Sequence, residues 1–147
     1  MENQTIFDSI NSLTQKIIIL KICQNLERSQ HRHGLTGSRL SAGAGKHLKA
    51  FSKTCAQLQD MRVLTFLSYL TSLRREAPQQ GFRLDEILDQ EVWDIMALRM
   101  DWADGVALAD NPVFVGLEVH VEALRKKHRL TDLEDAAYAQ MRGGETP

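Results

Sequence analysis

The stretch NPVFVGLEVHVEAL, residues 111–124, decides the fold class of this chain. Val113, Val115, Leu117, Val119 and Val121 alternate along it, which is the period of a strand. Val113, Leu117, Val121 and Leu124 also recur at steps of four and three, which is the period of a helix. The flanks favour the helix. Asn111-Pro112 supplies a capping side chain and then a proline at the first turn, where a missing N–H costs nothing. Glu122 and Lys126 stand one turn apart. Lys126-Lys127-His128-Arg129 puts cations where the helix dipole is negative. A lone strand would also lack a partner unless another chain supplied one. The sequence is therefore read as all-α.

Working outward, Thr131-Asp132-Leu133-Glu134 is a capping box, in which two side chains satisfy each other's backbone donors. It opens a short last helix to about Met141. Gly143-Gly144 stop it, and 143–147 is a frayed tail. Upstream, Leu84–Ala103 reads as one helix with Leu88, Val92, Ile95, Met96 and Trp102 on one side. Ile87, Trp93 and Met100 broaden that side, and the tryptophans and methionines are assigned to the core. Gly105 and Asn111-Pro112 break it. No Gly or Pro interrupts 46–77. Its apolar face shifts near Asp60, so two helices are expected there, ended by Pro78 and Gly81. Ile6, Ile10, Leu13, Ile17, Leu20 and Leu26 define a first helix, capped by Asn3 or Thr5. Its centre, Ile17–Leu20, is apolar on several sides, as in a central or dimer-forming helix.

Between the first helix and Lys46 the period fails. The expectation over 28–45 is a surface loop rich in glycine and histidine, with a helical turn near Ser38–Ser41. The chain thus reads as a single domain over 1–147: an all-α bundle of five to six helices. A long Gly/His/basic loop, flexible over 30–45, follows the first helix.

Bulk composition agrees with one globular unit. The 147 residues are 43% hydrophobic and 25% charged, close to ordinary soluble domains. Cys23 and Cys55 are read as buried free thiols of a reducing compartment. The start, Met1-Glu2-Asn3-Gln4, lacks the basic region of a signal peptide. The run Ile17–Leu20 is far short of the ~20 residues that span a bilayer. A cytoplasmic protein without membrane association is expected.

SAGAGKH, Ser41–His47, raises the question of a phosphate-binding loop. Such a loop needs Gly, four residues, Gly-Lys and then Ser or Thr. Leu40 stands at the first glycine and His47 at the hydroxyl, and no hydrophobic strand precedes it. A nucleotide-hydrolysing loop is excluded. A weaker use is anion binding at the start of the helix after Lys46.

Charge layout is the most informative feature. No acidic residue lies between Glu27 and Asp60, while Arg28, Arg32, Arg39, Lys46, Lys49 and Lys53 fall in that region. From Leu84 to Ala123 ten acids face Arg99 alone. The basic six are candidate contacts for an anion or a nucleic-acid backbone. Asp85, Glu86, Asp89, Asp94 and Asp101 are a candidate acidic face for a partner. No aromatic precedes Phe51 in the basic segment, so base stacking is not expected, and the glycines leave little first helix for a helix-turn-helix.

Other chemistry is set aside. His31 and His33 with Cys23, His47 or Cys55 lack zinc-ligand spacing. Glu118 and Glu122 share a face from which His120 points away. Cys55 and His47 would stand ~12 Å apart in helix rise, too far for proton transfer. No cofactor, metal or catalytic residue is assigned. The function expected is a small non-catalytic intracellular binding or regulatory protein. It would dock charged surfaces and self-associate through the first helix and the Val63–Leu73 face. The alternatives are nucleic-acid binding through the basic 28–53 segment and, third, an acidic inhibitor or nucleic-acid mimic using 84–122.

Overall fold

The computed structural model describes residues 2–76, 81–103, 108, 110–128 and 130–142, the side chains of 2–7, 102 and 103 excepted. The capping side chains of Asn3 and Thr5, the packing of Ile6 and Trp102, the stops at Pro78 and Gly105 and the tail 143–147 fall outside them. Among the described residues there is no strand. Among these residues seven helices, more than the five to six expected, follow in order: α1 Glu2–Arg32, α2 Gly37–Gly43, α3 Ala50–Gln57, α4 Val63–Glu76, α5 Gln90–Ala103, α6 Pro112–Lys127 and α7 Asp132–Arg142. A 3-10 turn occupies Leu84–Glu86. The chain forms two compact units, residues 1–20 with 90–147, and residues 21–89.

In the first unit, the early turns of α1 bury Ile10, Leu13, Ile17 and Leu20. α5 buries Val92, Ile95 and Leu98, and α6 buries Phe114, Leu117, Val121 and Leu124. α7 adds Ala137, Tyr138 and Met141. The decisive stretch is helical, as its flanks dictate. Asn111 accepts the Val113 N–H at 2.9 Å, and Val121 and Leu124 share one buried face. Phe114 and Tyr138 pack with ring centroids 5.8 Å apart, and the Arg125 guanidinium lies 5.8 Å from the Tyr138 centroid. The capping box forms as read. Thr131 Oγ1 accepts from the Glu134 N–H at 3.1 Å, and Glu134 Oε1 accepts from the Thr131 N–H at 2.9 Å.

In the second unit, Leu26 of α1 joins Leu35, Leu40, Phe51, Tyr69, Leu70, Leu73 and Ile87 in one core. The expected long loop is largely helical. α1 runs on to Arg32, and α2 fills 37–43. Thr36 caps α2, its hydroxyl accepting the Arg39 N–H at 3.1 Å, so Gly37 starts a helix instead of breaking one. The break near Asp60 appears as expected. Leu58 takes a left-handed conformation (φ 49°), and the Gln59 N–H returns to the Thr54 carbonyl at 3.1 Å. That closes α3 in the manner of a C-terminal cap.

The helix expected over 84–103 is instead the 3-10 turn followed by α5. Ile87 is fully buried, and Asn25 Nδ2 donates to its carbonyl at 2.8 Å. That long-range bond takes an acceptor a continuous helix would use for its own ladder.

At Gly43, α2 packs tightly against Ser72 of α4. A Cβ there would stand 2.2 Å from Ser72 Oγ and 3.2 Å from Ser72 Cβ. Ser72 Oγ is not free to swing away, because it donates to the Leu40 carbonyl at 2.9 Å in a buried site. Gly43→Ala is therefore expected to destabilise this unit by about 1–3 kcal/mol, from overpacking plus a lost buried hydrogen bond. In a double-mutant cycle by urea unfolding, Ser72→Ala should absorb part of that cost. Strict additivity would refute the contact.

Candidate functional site

The six basic candidates all lie in the second unit, and all are exposed. They divide into two kinds. Arg32 pairs with Glu86 at 3.1 Å and Arg39 with Glu76 at 2.8 Å. Lys46, Lys49 and Lys53 form no ion pair with a described residue. Lys49 and Lys53 stand one turn apart at the start of α3. Arg28 lines a small cleft described below.

The glycines before Lys46 serve a structural end. The Gly45 N–H donates to the Ala42 carbonyl at 3.0 Å and the Lys46 N–H to the Ser41 carbonyl at 2.9 Å. Gly45 has φ +71°, the left-handed conformation that glycine adopts without penalty. The segment is the C-terminal cap of α2. The Phe51 N–H at the start of α3 is already held by Ser41 Oγ at 3.0 Å. These donors are spent inside the unit, which removes most of what an anion site at this turn would use.

The five acidic candidates do not share one unit. Asp85, Glu86 and Asp89 belong to the second, and Asp94 and Asp101 to the first. Asp85 pairs with Arg83 at 3.0 Å. Glu86 accepts from Ser29 at 2.9 Å and from Arg32, and lies 3.4 Å from His33 Nε2. Asp89 lies 3.7 Å from Lys21 Nζ and accepts from Asn25 at 3.2 Å. Asp94 accepts from Gln90 at 2.8 Å, and Asp101 is half-buried on α5.

Asn25, Arg28, Ser29, Arg32, Asp85, Glu86 and Asp89 line a cleft of about 240 Å³. Ligand pockets span roughly 300–1,000 Å³ and are mostly apolar. This one is smaller, and its acids are already met by arginine, lysine, serine and asparagine donors. Among the described residues no group of three or more His, Cys, Asp or Glu could hold a metal.

Cys23 is buried and Cys55 half-buried, both free. Cys23 is held below the ordinary thiol range by its hydrogen bond with Cys55, against burial and the Glu27 carboxylate. Cys55 is pushed far above it by the same bond, with burial adding to the shift. The thiol that this bond favours as thiolate is Cys23, the buried one of the two. His120, expected to point away from Glu118 and Glu122, turns inward and meets Glu91 of α5 at 2.5 Å.

The largest departure from the sequence reading concerns α5. Trp93, Met96 and Met100 were expected in the core, and they are exposed, Trp93 at 56%. They lie on the side turned away from Ile95 and Leu98, so this helix is apolar on two sides and one side meets water. α4 presents a second such stripe. Leu64 is 77% exposed, beside Val63 and Leu67, whereas Tyr69, Leu70 and Leu73 are buried. Only the first half of the expected Val63–Leu73 face is therefore open. From Ile10 to Leu26 the apolar face of α1 is buried in the two cores. A usable signal was present in the sequence: two separate helical stripes, 92/95/98 and 93/96/100, on one helix of a small chain.

No family model, no curated protein and no solved structure matches this chain. Among the described residues no helix is long and apolar enough to cross a membrane.

Proposed function

We propose that this chain is a small non-catalytic binding and regulatory protein that works by docking charged surfaces and by self-association. One observation carries the reading: charge divides along the boundary between the two compact units. Residues 21–89 hold eleven Lys and Arg against six Asp and Glu, a balance of +5. The remainder holds seven against thirteen, a balance of −6. The overall charge of −1 hides two portions of the chain with opposite charge balance. Opposed patches steer encounters and set register, while apolar contact supplies affinity. Among the described residues α4 of one unit and α5 and α6 of the other expose apolar side chains, Val115 and Val119 on α6. Light scattering on the purified chain at low and moderate salt tests the reading: association that weakens with salt supports it.

Nucleic-acid binding is the second reading, favoured by Lys46, Lys49 and Lys53, exposed and without an ion pair among the described residues. Phosphate contacts by three lysines predict a salt slope that falls by about 1 for each lysine removed. Labelled random DNA and RNA, titrated by fluorescence anisotropy, measure it. Lys46→Glu/Lys49→Glu/Lys53→Glu should abolish binding uniformly across sequences. An unchanged affinity and slope would eliminate this reading. Arg39 is left intact in that variant, because reversing it would also break its pair with Glu76. Acidic mimicry has less support, since Asp85, Glu86 and Asp89 are engaged by neighbours of their own unit.

A further inference from the structure

We propose that Cys23 and Cys55 form a two-electron redox pair, which a small-molecule disulfide oxidises to a Cys23–Cys55 bond joining α1 to α3. Both cysteines belong to the unit of residues 21–89. Their thiols are hydrogen-bonded to each other, and Cys55 also bonds Glu27, one turn beyond Cys23 on α1. Two contacts a turn apart seat the Cys55 side chain of α3 on α1. Cys55 also packs against the core that holds Leu26, Phe51 and Tyr69. Its chain neighbour Thr54 hydrogen-bonds the Tyr69 side chain, so neighbours on α1, α3 and α4 all hold the pair in place. The chain has two cysteines, so no other intramolecular bridge competes.

Access and acidity divide the roles. Cys55 is half-buried and Cys23 buried, so the oxidant enters at Cys55. The Cys55 sulfur attacks one sulfur of the small disulfide while its proton passes along the shared hydrogen bond to the Cys23 thiolate. The S–S bond of the oxidant breaks, and one small thiolate leaves and takes a proton from water. Cys23 then gives up its proton and attacks the Cys55 sulfur of the mixed disulfide. The second small thiolate leaves and takes up that proton. In total the two cysteines lose two electrons and two protons, and the small disulfide gains both as two thiols. Cys23, the thiol that the hydrogen bond favours as thiolate, is thus the resolving nucleophile and stands in contact with the sulfur it attacks.

The fold itself promotes the second step. In the native chain the two sulfurs already touch, whereas an unfolded chain must close the loop from 23 to 55 each time. By linkage, the fold favours the disulfide by the same factor as the disulfide favours the fold. In a reducing compartment the dithiol is the resting form, and a bond of this kind is transient and redox-sensing. Oxidation ties α3 covalently to α1, and α3 carries Lys53 and follows directly on Lys49.

A glutathione titration of the full-length wild-type chain tests the pair. The chain is equilibrated with reduced and oxidised glutathione over a range of ratios, quenched in acid and alkylated with N-ethylmaleimide. Intact mass and a non-reducing peptide map read the result. The expected product is lighter by two hydrogens, takes up no maleimide and maps to a Cys23–Cys55 bridge. Half-oxidation of the native chain should occur at a glutathione ratio about tenfold or more further to the reducing side than for the same chain in urea. Cys23→Ser, checked for native helix content by circular dichroism, should stop as a glutathione adduct on Cys55. Native wild-type chain that keeps both thiols free, or that accumulates glutathione adducts without a bridge, would overturn the proposal. So would a bridge that forms no more readily in the native chain than in urea.

Discussion

Phe51→Ala lowers the stability of the 21–89 unit by about 3–5 kcal/mol, the range for emptying a buried phenylalanine site. Phe51 is 2% exposed, and its ring meets Tyr69 edge-on, with centroids 5.3 Å apart and planes at 67°. That pair links α3 to α4, and Leu40 of α2 belongs to the same core. The loss thus combines transfer energy, a cavity and an aromatic contact worth about 0.5–1.5 kcal/mol beyond area. Domains of this kind have only about 5–15 kcal/mol in total. Phe51→Leu keeps most of the volume and should cost less than half as much. Urea unfolding of both variants measures the difference. A cost below about 1 kcal/mol for alanine would mean that α2, α3 and α4 do not share this core. The position also matters to function, because Phe51 holds the turn of helix that displays Lys49 and Lys53. Phe51→Leu should keep whatever those lysines bind, and Phe51→Ala should weaken it through the fold.

Glu134→Ala is the second large effect, about 2–4 kcal/mol, and it is pH-dependent. Glu134 is 2% exposed. Its carboxylate accepts from Lys16 at 2.8 Å, Ser12 at 3.0 Å and the Thr131 N–H at 2.9 Å. It therefore caps α7 and ties it to α1 within one unit. Truncation leaves those donors unanswered, and charge-assisted bonds are worth about 1.5–3 kcal/mol each in net terms. Burial pushes the Glu134 carboxyl up, but the bonds from Lys16, Thr131 and Ser12 outweigh it and hold the carboxyl below its ordinary value. A carboxyl depressed in the folded state adds stability above its unfolded pKa, near ~4.3. That contribution disappears as pH falls through the lower folded value. The stability gap between wild type and Glu134→Gln should accordingly be full at neutral pH and shrink below about pH 4. A gap that does not change with pH would contradict the assignment.

Local chemistry explains which parts of the fold were legible in the sequence. Asn111-Pro112 and Thr131–Glu134 specify their helix starts within four residues, so α6 and α7 appear where the sequence puts them. Charge is equally local, and the basic and acidic segments were readable as such. The misread parts depend on distant partners. Gly37 and Gly43 look like breakers, but Thr36 caps the helix between them, and Gly43 is small because Ser72 stands against it from another helix. Leu84–Ala103 has an unbroken helical period, and only the Asn25 side chain, sixty-two residues away from Ile87, shows why it divides. Trp93 and Met100 are apolar enough for a core, and nothing local says that Val92, Ile95 and Leu98 already fill the side of α5 that the unit buries. Of the candidate site, the lysines of α3 were visible in advance. The apolar stripes were legible as helical periods, but their exposure was not, because exposure is a property of packing.

Sedimentation velocity of the wild-type chain over a range of concentrations, at low and at moderate salt, tests the central claim most directly. Complementary charged surfaces predict a mass that rises above 16.6 kDa with concentration at low salt. It should fall back toward that value as ions shorten the reach of charge to about 10 Å or less near 0.1 M. A chain that stays at 16.6 kDa at every concentration and both salts would contradict the account.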